Sequence, residues 1–365
     1  MFLKCKPCVF VVGNEYEIVI NTAENGIIGV SVGGQIYYEE NSGALYSEKN
    51  FAKIRVPQGV LDGAEKYAVE YRKTIIRRGY GSLMDEKQRV EFEFKPLKKT
   101  QDIKIYHVAD VHYNFEIFEK VCSFFGNELD LLVVNGDIGE VGTIENYEDV
   151  LKFVGNISNG KIPVIFSRGN HDVRGHLAER FTDYFPANGK KTYFNFEVGC
   201  LKGIVLDCGE DKRDDHIDRN ATVPDVYGGV NIFHDFRLRE RDFLQNLIFR
   251  KDDKITFAVS HISPSYTTSS GNPVFDIERE VYAEWIKELE RLGIKFMLTG
   301  HLHKVDILPA FDERSILPAN YPVIVGSECY KGKFMGTAIT LNKDGMKVQF
   351  TDQELHVVSE QWINF

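Results

Sequence analysis

The chain opens with short, mostly alternating apolar runs. CVFVV, YEIVI, IIGVSV, FAKIRV, KYAVEYRK and RVEFEF follow one another between Cys8 and Phe94, separated by Gly, Asn and Pro. Alternation at period two buries one face of a pleated strand, so residues 1–98 are predicted to form an all-β antiparallel sandwich. The segment KPLKKTQD, Lys95 to Asp102, is basic, polar and broken by proline, and a domain boundary is placed there.

Beyond it the period changes. IKIYHV, LLVV, PVIF, GIVL, ITFAV and FMLT are short apolar runs of the length of buried strands. Between them apolar residues recur at helical spacing: Phe118, Val121, Cys122 and Phe125; Tyr147, Val150, Leu151 and Val154; Val281, Trp285 and Leu289. Strands alternating with helices predict an α/β layered domain over residues 99–365.

Length agrees with two domains, because 365 residues exceed the roughly 250–300 at which one core stops growing. The formal charge of −10 supplies no general field for nucleic acid or an anionic membrane, although a local cationic site remains compatible with it. There is no apolar leader segment and no run approaching the roughly 20 apolar residues of a membrane span. The expectation is a soluble, cytoplasmic chain with no membrane partner. The six cysteines sit mostly in apolar runs and read as small core residues; Cys5 and Cys8 form a CxxC without the second pair that a zinc site needs.

The chemistry lies at the strand ends. Five of the later strands run straight into polar residues: Asp110 and His112, Asp137, Asn170 and His171, His261, and His301 with His303. In open α/β sheets ligands gather at the carboxyl ends of strands, so these tips predict one pocket. Residues two apart on extended backbone point the same way, so Asp110/His112 and His301/His303 can each present paired ligands, with Asp137 as a bridging carboxylate. Imidazole with carboxylate suits manganese, iron or zinc, and the arrangement fits two such ions.

The ordered set DxH, GD, GNH followed by Asp, a later lone His, and GHxH resembles the calcineurin-like metallophosphoesterase superfamily, over about Ile103 to Phe365. The resemblance implies a four-layer α/β/β/α sandwich. It also implies one ion on Asp110, His112, Asp137 and His303 and a second on Asp137, Asn170, His261 and His301. His171 would then face the phosphoryl group and assist the leaving oxygen, with Asp172 orienting it. The stretch VPQGVLDGAEKYAVEYRK resembles the E–F corner of a fibronectin type III or immunoglobulin-like module, with Tyr67 as the corner tyrosine bonded to upstream backbone.

Purple acid phosphatases are similar in joining a β-sandwich to this catalytic fold. They carry a tyrosine ligand where this chain has Glu140, and their first motif lacks a counterpart of His112, which argues against an iron–tyrosinate centre. Arg168 is weighed as a phosphate contact or a buried ion pair. Tyr113 and Asn114 would border the substrate, and the long polar stretch from Cys208 to Phe236 would help select it, with Tyr227 and His234 as contacts. The expected substrate is a small phosphate monoester or diester, or a nucleotide-like molecule. A nuclease and a noncatalytic scaffold are the competing readings.

Overall fold

The computed structural model describes residues 2–45, 49–139, 142–220, 222–265 and 278–365. The N-terminal strands are β1 (Cys8–Val12), β2 (Glu15–Asn21), β3 (Gly26–Val32), β4 (Gln35–Tyr38) and β5 (Phe51–Pro57). After the short helix α1 (Gln58–Ala64) come β6 (Lys66–Arg77), β7 (Ser82–Met84) and β8 (Gln88–Glu93). The second part starts with β9 (Ile103–Val108), α2 (Phe115–Cys122), β10 (Leu131–Asn135), α3 (Ile144–Ser158) and β11 (Pro163–Ser167). It continues with β12 (Phe194–Val198), β13 (Leu201–Leu206), the two-residue strands β14 (Ile217–Asp218) and β15 (Asp225–Val226), α4 (Phe233–Asn246) and β16 (Ile255–Ser260). The last elements are α5 (Arg279–Arg291), β17 (Phe296–Thr299), β18 (Lys304–Leu308), β19 (Val323–Tyr330), β20 (Lys333–Asn342), β21 (Gly345–Asp352) and β22 (Val357–Asn364).

One hydrogen-bonded path runs β12-β13-β16-β17-β19-β20-β9-β10-β11-β1-β2-β5. It divides at β19, whose first residues pair with β17 and β18 while Glu328–Tyr330 turn to β20. The two halves face each other. Ile105, Val133 and Ile165 from one half share a core with Val205, Val259 and Leu298 from the other. Their sequence neighbours point outward, because side chains alternate along a strand. Tyr106, Val134 and Phe166 thus pack under α2 and α3, and Ile204, Ala258 and Met297 pack under α4 and α5. The result is the expected α/β/β/α sandwich.

The N-terminal residues also form a sandwich, but one of its layers is not their own. β3, β4, β6, β7 and β8 make a separate antiparallel sheet. It packs through Val30, Tyr67 and Val69 onto Val9, Ile18 and Ile54 of β1, β2 and β5. Those three strands extend the catalytic sheet: β1 lies parallel to β11, with Val9 opposite Pro163. Backbone pairing therefore crosses the Lys95–Asp102 segment. Tyr67 departs from its expected role in the same way. Its buried hydroxyl donates to Gly160 O at 2.8 Å, a downstream carbonyl just beyond α3, so it ties the small sheet to the catalytic layer and not to its own corner.

No helix among the described residues is long and apolar enough to cross a membrane. The six cysteines are free, with Cys8 buried.

Candidate metal centre

The site is built where β9, β10 and β11 of one layer and β16 and β17 of the other deliver their carboxyl ends side by side. Within each group the strands are parallel, so all five tips emerge on one edge of the sandwich. Asp110 N bonds Gly136 O at 3.1 Å, His112 N bonds Asp137 O at 3.2 Å, and Gly300 N bonds His261 O at 2.9 Å. These contacts lace neighbouring tips together.

The paired ligands are not presented by extended backbone as the sequence reading supposed. Asp110 (φ 52°), His112 (44°), Asp137 (54°), His301 (69°) and His303 (48°) all lie in the left-handed region. Each such non-glycine residue costs on the order of 1–3 kcal/mol and persists where the surroundings over-determine it, typically at functional sites. Sharp turns, not strand periodicity, fold both members of each pair toward one point.

Close approach explains the glycines. A Cβ on Gly136 (φ 79°) would lie 2.6 Å from His261 Nδ1 and 2.7 Å from Gly169 Cα. A Cβ on Gly169 would collide with the Asp137 carboxylate. Gly169 does not have positive φ, so glycine is required there by the close approach of Asp137 and not by a left-handed turn.

The predicted ligands come together. Asp110, His112 and His303 form one group, and Asp137, His261 and His301 another; in each, ligand atoms lie within 4.8 Å of one another. A third group joins His112 and Asp137 to His171. Asn170 Oδ1 sits 2.9 Å from His301 Nδ1, and His112 Nε2 lies 3.2 Å from His303 Nε2.

Tautomers decide whether these atoms suit a cation. His261 Nδ1 lies 2.7 Å from Asn135 O, and His303 Nδ1 lies 3.1 Å from Cys329 O. A carbonyl only accepts, so both Nδ1 atoms carry the proton and, in the neutral rings, both Nε2 atoms carry lone pairs. Those lone pairs face carboxylates. His261 Nε2 is 3.1 Å from Asp137 Oδ2 and 3.8 Å from Asp110 Oδ1, and His303 Nε2 is 3.6 Å from Asp110 Oδ1. Buried His261 Nε2 makes no hydrogen bond. Acceptor facing acceptor at 0% and 1% exposure for Asp110 and Asp137 needs positive charge between them, and carbonyl-anchored imidazoles are how proteins orient metal-binding histidines. Burial opposes charge on His261, but Asp137 and Asp110 outweigh it and push its pKa up to about 10, so a proton occupies the position when no ion does. Burial also opposes the charged form of Asp137, yet His261 and His171 hold its carboxyl below the usual range. His301 is pushed down to about 3 by burial and by the His261 charge. The residues present fit a pair of cations with nitrogen and oxygen ligands.

His171 stands at the mouth, its side chain one-third exposed, with Nε2 3.9 Å from Asp137 Oδ2. Its amide donates to Asp137 Oδ1 at 2.8 Å. The contacts of Asp172 are to backbone. Asp172 Oδ2 accepts from the amides of Gly169 (2.8 Å) and Asp137 (3.0 Å), so it fixes the turn that carries the ligands. Burial, and then the neighbouring Asp137 charge, push Asp172 up to about 7.

The expected substrate contacts fare less well. Arg168 Nε donates to fully buried Asp207 at 2.8 Å, and its guanidinium lies 5.7 Å from the ring centres of both Phe181 and Phe236. It is the buried ion pair. Asn114 spends its Nδ2 on Val111 O, His112 O and Cys329 Sγ, bracing the turn beneath His112. His234 pairs with Glu278 at 2.9 Å, joining the start of α4 to that of α5. Tyr113 borders the site beside His112 at 38% exposure. Tyr227 lies over Lys212 Nζ at 5.6 Å. Glu140 is outside the described residues.

Three residues not singled out from the sequence, two of them inside the Cys208–Phe236 stretch, reach the centre. Arg174 Nη1 is 3.5 Å from His171 Nε2; Glu210 binds Arg174, and Asp211 Oδ2 is 3.9 Å from His301 Nε2. A signal was present: GIVL also ends in a polar run, DCGED, so the strand-tip rule applied to β13 would have flagged it.

A sequence search of curated proteins finds no match. Among solved structures the fold is similar to a purple acid phosphatase from yellow lupin (Lupinus luteus) seeds, with TM-score 0.62, 10% identity, and 98% of this chain against 74% of that one covered. It is also similar to the structure of PhoD, with TM-score 0.53, 12% identity, and 98% and 88% covered. The family model for calcineurin-like phosphoesterase matches residues 103–305. That span takes in every strand tip of the centre, and with it the chain belongs to the calcineurin-like phosphoesterase family.

Proposed function

We propose that this chain hydrolyses phosphate esters at a dinuclear centre. One ion would be held by Asp110, His112, Asp137 and His303, the other by Asp137, Asn170, His261 and His301. The observation that carries this is the pair of carbonyl-locked imidazoles, His261 and His303, whose Nε2 atoms meet buried carboxylates. Manganese, iron or zinc suit such ligands. When bound, the ions supply a water-derived nucleophile near neutral pH and offset phosphoryl charge.

The chain's own residues do the rest. Asp137 presents Oδ2 toward His261 and uses Oδ1 to accept the His171 amide, which sets the bridging carboxylate and the imidazole in one rigid turn. His171 Nε2 faces the mouth, where it delivers a proton to the leaving oxygen. Asp172 keeps that turn closed from below. No protein nucleophile is required.

The test is turnover of p-nitrophenyl phosphate and bis-p-nitrophenyl phosphate by metal-free protein reloaded separately with manganese, iron, zinc and magnesium. Metal-dependent release of nitrophenol is expected, and the monoester-to-diester ratio assigns the substrate class. Silence with every metal while two ions per chain are bound overturns the hydrolase reading in favour of a scaffold.

A further inference from the structure

We propose that Arg174 grips the phosphoryl group of the substrate, and the phosphate product, a role for which Arg168 is one candidate from sequence. The inference rests on the hydrolase reading above. Arg168 is excluded by its commitment to Asp207 and its two aromatic neighbours. Arg174 leaves the same turn as His171: its amide donates to His171 O at 3.2 Å.

The guanidinium is held on one edge. Nε donates to Glu210 Oε2 at 2.7 Å and Nη2 to Glu210 Oε1 at 2.5 Å, while Nη2 also reaches Asp211 Oδ1 at 3.2 Å. Glu210 is 1% exposed, so this bidentate fork is anchored to a side chain that cannot follow it outward. Lys212 Nζ lies 2.6 Å from Asp211 Oδ1 and 3.6 Å from Glu210 Oε1, so a second cation shares the two carboxylates with Arg174. The remaining nitrogen, Nη1, is directed at His171 Nε2, 3.5 Å away, and that Nε2 is itself 3.9 Å from the bridging carboxylate of Asp137. A planar donor locked on one edge, whose other edge meets the imidazole Nε2 at the mouth and can exchange that contact for an anion's oxygen, is the geometry for catching a phosphoryl group. The fork also spans the sandwich, since Arg174 follows β11 and Glu210 follows β13. The start of the Cys208–Phe236 loop thereby sets how far Arg174 reaches.

The test uses metal-loaded protein and inorganic phosphate. Calorimetry gives the phosphate dissociation constant, mass spectrometry gives metal content, and KM and kcat are measured on the nitrophenyl esters. Arg174→Gln is expected to weaken phosphate about tenfold or more, the scale of a charge-assisted hydrogen bond, and to raise KM, with two metals retained. Glu210→Gln should move both in the same direction by less. Unchanged phosphate affinity at full metal content overturns the proposal, and so does loss of metal in step with affinity. Should Arg174→Gln fail to fold, Arg174→Lys decides: an ammonium cannot keep the Glu210 fork and a third donor together, so wild-type phosphate affinity there overturns the assignment. A wild-type protein that binds phosphate through Arg174 but turns over no ester refutes the hydrolase reading alone.

Discussion

Asp172 separates two ways in which a buried carboxylate can serve this site. If it orients the imidazole, its charge matters; if it staples the turn, its oxygen matters. Asp172→Asn and Asp172→Ala part these cases. The asparagine keeps an oxygen where Oδ2 now accepts the amides of Gly169 and Asp137. The alanine leaves both amides buried without an acceptor. Each such orphan costs about 1–3 kcal/mol, so alanine should lose roughly 2–6 kcal/mol of stability, a large part of the roughly 5–15 kcal/mol of a typical domain. Asparagine should cost little, and its effect should depend on pH. The Asp172 carboxyl is pushed up to about 7 by burial and then by Asp137, from an ordinary value of 3.8. A raised folded-state value favours the protonated form, so this group's contribution is intact below pH 3.8 and is lost as pH rises through 7. Asparagine cannot ionise and escapes that loss. In metal-free protein, whose Asp137 charge is unscreened, Asp172→Asn should therefore gain on wild type between pH 4 and 8. Urea unfolding across that range, with turnover of the reloaded proteins, gives the answer. Equal turnover loss in both variants, with asparagine at wild-type stability, refutes the staple.

Other perturbations address the remaining assignments. His171→Ala should cut turnover by about two orders of magnitude or more with both metals still bound by mass spectrometry; unchanged turnover at full occupancy removes its role. Asp137→Ala should lose metal and activity together, and a variant that keeps both breaks the bridging assignment. Arg168→Gln should destabilise by about 3–5 kcal/mol in urea, because it leaves Asp207 buried without its cation, while KM on the folded fraction stays put. Tyr67→Phe removes the bond to Gly160 O and should cost about 1 kcal/mol without altering kcat, as chemical unfolding beside a standard assay would show.

The layered fold was legible because burial imposes a period. Ile105, Val133 and Ile165 look inward and their neighbours Tyr106, Val134 and Phe166 look to the helices, and that alternation is written in the sequence. The candidate metal ligands were legible because they follow apolar runs directly. Their geometry was not, since the left-handed turns at Asp110, Asp137 and His301 depend on which backbone lies alongside. Partners distant in sequence were equally hidden. Arg168 and Arg174 both flank the GNHD motif, and only the positions of Asp207 and Glu210 tell the buried cation from the one at the mouth. The shared sheet was missed because β1 carries no mark of a parallel partner in β11.

That shared strand has a consequence for synthesis. Val9 of β1 is translated long before Pro163, the residue it faces, and at about 5–20 residues per second the interval of roughly 150 residues lasts on the order of 8–30 s. Throughout it the wholly apolar CVFVV segment, although paired with β2 and able to lie against the small sheet once β8 is made, has an open edge where β11 will pair. A nascent chain with an unpaired apolar edge is a substrate for chaperones or for its neighbours on a polysome. Slow codons or a stalled ribosome between Asn21 and Pro163 should therefore lower the soluble yield more than the same delay placed after Ser167, where β1 already has its berth.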